Sequence, residues 1–198
     1  AILCNAGKAF GEFQMDLSDF DSSRLYETIP NFHNTRKRYE AFIKAVQENK
    51  AGRAEEVREE IDYLLSVQDL ACRLTDLHSE GKLPLRVTHN DTKINNVLFH
   101  AETKQPLTVI DLDTVMPGLM GNDFGDAIRF AANFVEEDCP DYEKAGVDLN
   151  VFQAFAEGFL SKTAETLTEM EAETLALSCF TLTAELCTRT RAQAAVLI

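Results

Sequence analysis

Apolar residues recur at helical intervals along most of this chain, and the period is broken by one polar loop that leads into a short β-favouring hairpin. The spacing predicts a helix over residues 36–49, ended before Gly52. A long one is predicted over residues 53–79, carrying Val57, Ile61, Leu64, Leu65, Ala71, Leu74 and Leu77, with Gly81 beyond its end. Residues 148–167 give a further amphipathic helix in which Phe152, Phe155 and Phe159 read as core. Thr168-Glu169-Met170-Glu171 reads as a capping box that opens the last helix, which runs on through residues 190–198. Near the start, Gly7 and Gly11 sit among apolar residues at helical spacing, so they do not form a loop over a phosphate.

The interruption has its own pattern. Val97-Leu98-Phe99 and Leu107-Thr108-Val109-Ile110 are β-favouring runs, separated by a polar turn from His100 to Pro106. Two paired strands there bring Asn96 and Asp111 back to the same end of a hairpin. The fold class expected is therefore mainly α with a small β-hairpin. Helices around one hairpin match the C-terminal lobe of a protein-kinase-like fold.

The polar loop carries the candidate chemistry. His89-Asn90-Asp91-Thr92-Lys93-Ile94-Asn95-Asn96 is an H-x-D-x-x-x-x-N loop, followed after the hairpin by Asp111 in Val109-Ile110-Asp111-Leu112-Asp113. Phosphoryl transfer requires that an acceptor hydroxyl be oriented and that divalent metal be held against the phosphates. Asp91 suits the hydroxyl proton, Asn96 and Asp111 offer hard oxygens to Mg2+, and Lys93 can meet a phosphate oxygen as charge develops. His89 reads as the architectural member, bracing the loop through its ring nitrogens.

Asp123-Phe124-Gly125 spells the D-F-G of protein kinases, but it follows Met116 to Asn122, which reads as a loop and not as a strand. The metal is therefore assigned to Asp111. Asp123 is expected to cap a helix over residues 124–135, with Asp126 in its first turn.

These residues resemble the aminoglycoside phosphotransferase and choline kinase superfamily, and within it the N-acetylhexosamine 1-kinase branch. The likeness runs through Leu25 to Thr35, Thr88 to Leu98, Val109 to Pro117 and Asp123 to Phe130. It implies ATP as phosphoryl donor, Mg2+ on Asn96 and Asp111, Asp91 as base and Asp113 as a supporting carboxylate. It also implies an N-acetylated hexose phosphorylated at its anomeric hydroxyl, with His33, Arg129 and Arg189 as candidate sugar contacts. Aminoglycoside kinases usually carry His where this chain has Lys93. Glu185 and Arg189 match a late helix of the sugar kinases, which continues there with aromatic and acidic residues that residues 190–198 lack.

No G-x-G-x-x-G or V-A-I-K pattern is present, so residues 1–198 read as the catalytic lobe of a longer protein whose nucleotide-binding lobe lies outside this chain. That lobe is an expected partner. Composition then narrows the field. A formal net charge of -14 disfavours nucleic acid and anionic membranes, while it would welcome a cationic acceptor such as an aminoglycoside. Five cysteines, at 4, 72, 139, 179 and 187, have no C-x-x-C pair and fit reduced thiols in a cytoplasmic protein. No apolar run is long enough for a membrane span. Two other readings stay open, a kinase-like module without activity and a choline-type or aminoglycoside kinase; a protein kinase is disfavoured because no A-P-E segment follows Asp111.

Overall fold

The computed structural model describes residues 2–136, 139 and 141–189. In chain order the elements are α1 (Ile2–Asp16), α2 (Thr35–Glu48), α3 (Arg58–Ser66), α4 (Gln68–Ala71), α5 (Arg73–Ser79), β1 (Arg86–Thr88), β2 (Val97–Phe99), β3 (Pro106–Val109), β4 (Met116–Gly118), α6 (Met120–Ala131), α7 (Leu149–Thr163) and α8 (Glu169–Arg189). Short 3-10 turns link several of them. The domain is mainly α-helical and kinase-like, with two small antiparallel sheets. The continuation of α8 through residues 190–198 lies outside the described residues.

Local chemistry sets most of the boundaries. Asn34 caps α2 by accepting from the Lys37 amide at 3.1 Å, and Asn49 closes it in the left-handed conformation that a short amide side chain tolerates. Asp148 accepts from the Asn150 and Val151 amides at the start of α7. The capping box is present: the Thr168 amide donates to Glu171 Oε2 at 2.8 Å and the Glu171 amide to Thr168 Oγ1 at 3.2 Å.

The long helix expected over residues 53–79 is instead a 3-10 turn (Ala54–Val57) and three helices, broken at Val67 and Cys72. The breaks let one segment serve two cores. Ile61, Leu64, Ala71 and Cys72 pack with Tyr39 and Phe42 of α2, whereas Leu74 and Leu77 pack with Leu83 and Leu119. A straight helix has one apolar stripe and cannot reach both.

Two further expectations are corrected. Residues 116–118 form β4, pairing antiparallel with β1 as Arg86↔Gly118, Val87↔Pro117 and Thr88↔Met116. Gly118 is required there, because a Cβ would run into Thr88 Oγ1. The following helix then starts at Met120 and not at Phe124, and it ends at Ala131. The hairpin itself is present, with Val97↔Val109 and Leu98↔Thr108 in register and a bulge before Phe99.

The main core joins α1, α6, α7 and β2 around Phe10, Phe124, Phe155 and Phe159. Gly7 and Gly11 of α1 lie against the α7 backbone at Phe155 and Phe159, and Gly158 of α7 lies against the α1 backbone at Cys4 and Lys8. A Cβ on Gly158 would strike the Cys4 carbonyl, and one on Gly7 the Phe155 carbonyl. Both obstacles are backbone and cannot rotate away. We expect Gly158→Ala to lower the free energy of unfolding by about 3 kcal/mol, the upper part of the overpacking range, in urea denaturation followed by far-UV circular dichroism. A loss below about 0.5 kcal/mol, the size of a surface change, would mean that the helices separate at no cost.

Candidate active site

The H-x-D loop leaves β1 and is clamped from beneath by α6. Asp123, 1 % exposed, accepts the His89 amide on Oδ2 at 2.9 Å and the Asn90 amide on Oδ1 at 2.7 Å. Gln14 of α1 donates to the same carboxylate at 2.6 Å. One turn on, Asp126 accepts the Thr92 amide at 3.0 Å, while Thr92 Oγ1 donates to the Asp123 carbonyl at 2.6 Å. Burial pushes the Asp123 carboxyl up, against the two loop amides and Gln14, which favour its charged form. Asp123 is thus no helix cap, since its oxygens serve the loop and not its own helix.

The rest of the D-F-G lookalike is structural as well. Phe124 fills the main core, and Gly125 lets α6 approach the Ser178 carbonyl of α8.

His89 is fully buried, its ring edge-on to Phe10 and Phe13. Its Nε2 lies 2.9 Å from the Ile110 carbonyl, which can only accept, so the proton is on Nε2; Nδ1 then accepts the Asp91 amide at 3.3 Å. One ring therefore joins the polar loop to the end of the hairpin. Thr114 adds a second tie, its Oγ1 donating to the His89 carbonyl at 2.7 Å.

Asn96 donates its amide nitrogen to the Asp91 carbonyl at 2.8 Å and to Asp91 Oδ2 at 3.1 Å, leaving its carbonyl oxygen to another partner. Lys93 Nζ lies 3.2 Å from Asp91 Oδ1. Asp111 is exposed and has left-handed backbone (φ 65°). The Asp113 side chain, by hydrogen bond and by charge, with the Asp91 charge behind it, pushes the Asp111 carboxyl above its usual value. Carboxylates crowded in this way, beside an amide oxygen, are a donor set of the hard type that Mg2+ takes. Among the described residues no three His, Cys, Asp or Glu side chains form a cage able to hold a metal without other ligands. Mg2+ sites of this kind complete their shell with substrate phosphates and water.

Beside Asp91 opens a cavity of about 250 Å³ whose lining includes His33, Asp91, Lys93, Arg129, Glu185 and Arg189. The three candidate sugar contacts thus face the same space as the candidate base, although they come from three separate segments. Arg129 Nη2 donates to Asp126 Oδ1 at 2.8 Å. His33 Nδ1 lies 3.0 Å from Glu185 Oε1 and Nε2 lies 3.2 Å from the Asn90 carbonyl. Burial is the largest influence on His33 and pulls its pKa down, but Glu185, the Asn90 carbonyl and Asp126 together raise it above the usual value.

Sequence reasoning missed Glu185 as a residue lining the site, and Asp123 and Asp126 as its support. Asp123 and Asp126 stand three apart on one helix, on the face turned to the loop, and a pair of acids so close to an apolar helix stripe was the available signal. For Glu185 the signal was a lone charge in the otherwise uncharged stretch 174–188 of α8.

No disulfide joins the five cysteines, and no helix among the described residues is long and apolar enough to cross a membrane. Residues 5–157 match the family model described as the phosphotransferase enzyme family. With the clamped H-x-D loop, the hairpin and the cavity in place, that match shows that this chain belongs to the phosphotransferase enzyme family.

Proposed function

We propose that the protein transfers the γ-phosphoryl group of ATP to a hydroxyl of a small molecule, most specifically the anomeric hydroxyl of an N-acetylhexosamine. The observation that carries this reading is the position of Asp91, whose carboxylate lines a cavity of about 250 Å³ while its loop is held by Asp123, Asp126 and His89. Asp91 accepts the proton of the acceptor hydroxyl, and an anomeric hydroxyl is acidic enough to need only a modest base. Lys93 offers positive charge where the transferring phosphate gains negative charge. Asn96 and Asp111, with Asp113 in support, would hold Mg2+, which when bound neutralises phosphate charge. Arg129 and Arg189, which also line the cavity, supply hydrogen-bond donors for ring hydroxyls or an acetamide.

Leu98, Leu107 and Leu112 are 46 %, 63 % and 53 % exposed around the hairpin that leads to Asp111. A nucleotide-binding lobe packed on them would cover this apolar surface and deliver the phosphates to the metal ligands. A second acceptor class is favoured by the net charge of -14, which attracts a cationic amino alcohol or aminoglycoside.

The test is ADP release by the full-length protein with Mg2+ and ATP, offered N-acetylglucosamine, N-acetylgalactosamine, plain hexoses, choline and an aminoglycoside. Turnover confined to the N-acetylated sugars is the expected outcome. Turnover with a cation alone would move the acceptor assignment to that class, and silence throughout would leave a kinase-like binding module.

A further inference from the structure

The peptide unit that joins Asn90 to Asp91 is gripped at both poles by imidazole rings. Its N–H, on Asp91, donates to His89 Nδ1 at 3.3 Å, and its carbonyl, on Asn90, faces His33 Nε2 at 3.2 Å. Asn90 has left-handed backbone (φ 65°), which a short amide side chain tolerates, so the grip fixes the orientation of the peptide and does not offset strain. Rotation of that peptide would swing the Asp91 side chain away from the cavity.

His33 can hold the carbonyl only because it is held itself. It lies in the turn before α2, its side chain 11 % exposed, with Nδ1 against Glu185 Oε1, and Glu185 is in turn fixed by Thr35 Oγ1 at 2.9 Å and approached by Arg38 at 3.9 Å. Both partners of the ring are acceptors, so both ring nitrogens donate, and neither is left to bind an acceptor molecule. We propose that His33 is a positioning residue, which locks the Asn90–Asp91 peptide to Glu185 of α8 and so aims Asp91 into the cavity, and that it is not a ligand of the acceptor. The inference rests on Asp91 as the base, and it changes what the late helix contributes. Through Glu185 and His33, α8 sets the geometry of the reacting group from across the cavity.

The experiment compares wild type, His33→Ala and His33→Gln as full-length protein in two assays. The first is steady-state phosphorylation of the best acceptor of the panel. Loss of the lock is expected to lower kcat about 100-fold in His33→Ala, in line with the cost of a small misplacement, with acceptor KM changed less than about threefold. His33→Gln keeps a donor for the Asn90 carbonyl and is expected to recover about tenfold of that loss. A raised KM at unchanged kcat would overturn the proposal, because that is what losing a direct sugar contact does. The second assay is amide hydrogen exchange over residues 88–96, which needs no turnover. Faster exchange there in His33→Ala, with the rest of the chain unchanged, supports the lock; unchanged exchange overturns it. If wild type phosphorylates no acceptor, the kinase reading fails while exchange still decides the role of His33. If His33→Ala does not fold, His33→Gln and Glu185→Gln carry the same exchange comparison.

Discussion

Asp123→Asn is expected to lower the free energy of unfolding by about 3 kcal/mol and to free the H-x-D loop, several times the effect of about 1 kcal/mol that an exposed capping carboxylate would have. The carboxylate accepts from the His89 and Asn90 amides on separate oxygens and from Gln14 as well. An amide in its place must turn an NH2 group towards one of those donors. At 1 % exposure no water is available to relieve the conflict, so one backbone N–H in the loop is left buried and unpaired. Asp123→Ala removes the whole acceptor and is expected to cost about 3–5 kcal/mol, the range for breaking a buried charged interaction. Urea denaturation at constant m-value checks the size, and exchange of the His89 and Asn90 amides checks the location. A loss within about 1 kcal/mol for the Asn variant would restore the capping interpretation and leave the loop without its anchor.

What the sequence disclosed about this fold was local. The capping box at Thr168 and Glu171 and the turn that opens at His100 depend on residues a few positions apart, and each is where the pattern placed it. The β1–β4 pair was not legible, because each strand has three residues and their pairing joins Arg86 to Gly118 across the whole loop and hairpin. Nor was Asp123. An acid near a helix start looks the same in sequence whether it caps that helix or is buried under a loop more than thirty positions away. The long helix over residues 53–79 failed for a related reason. Its apolar positions kept helical spacing, yet they belong to two cores that only bends at Val67 and Cys72 can serve.

The candidate site divides along the same line. Asp91, Asn96 and Asp111 were legible as a set because the loop spacing and the hairpin together require them to meet. His33, Arg129 and Arg189 came from resemblance alone, and the fold brings all three to one cavity with Asp91. Glu185 could not be assigned from spacing, because its bonds to His33 and Thr35 join segments 150 or more positions apart; Asp126 stands only three residues from Arg129, but its bond to the Thr92 amide spans 34 positions.

Asp111→Asn is expected to abolish Mg2+-dependent turnover while unfolding changes little, because Asp111 is exposed and Asn tolerates its left-handed backbone. That choice of variant separates chemistry from strain, which an alanine at φ 65° would confound. Asp91→Ala is expected to slow transfer by about 100-fold or more with nucleotide affinity retained, as removal of a base acting in the chemical step does. The two variants also differ in how they respond to pH. The Asp111 carboxyl lies above its usual value because Asp113 and Asp91 crowd it, so protonation competes with Mg2+. Mg2+ affinity is therefore full above that raised value and falls as the pH drops through it; the dependence persists in Asp91→Ala, shifted towards lower pH, and is lost in Asp111→Asn. Isothermal titration with Mg2+ and a non-hydrolysable ATP analogue at several pH values measures this directly. Near-normal turnover in Asp91→Ala, or unchanged Mg2+ affinity in Asp111→Asn, would move base or metal to another carboxylate, and Asp113, hydrogen-bonded to Asp111, would be the next to replace.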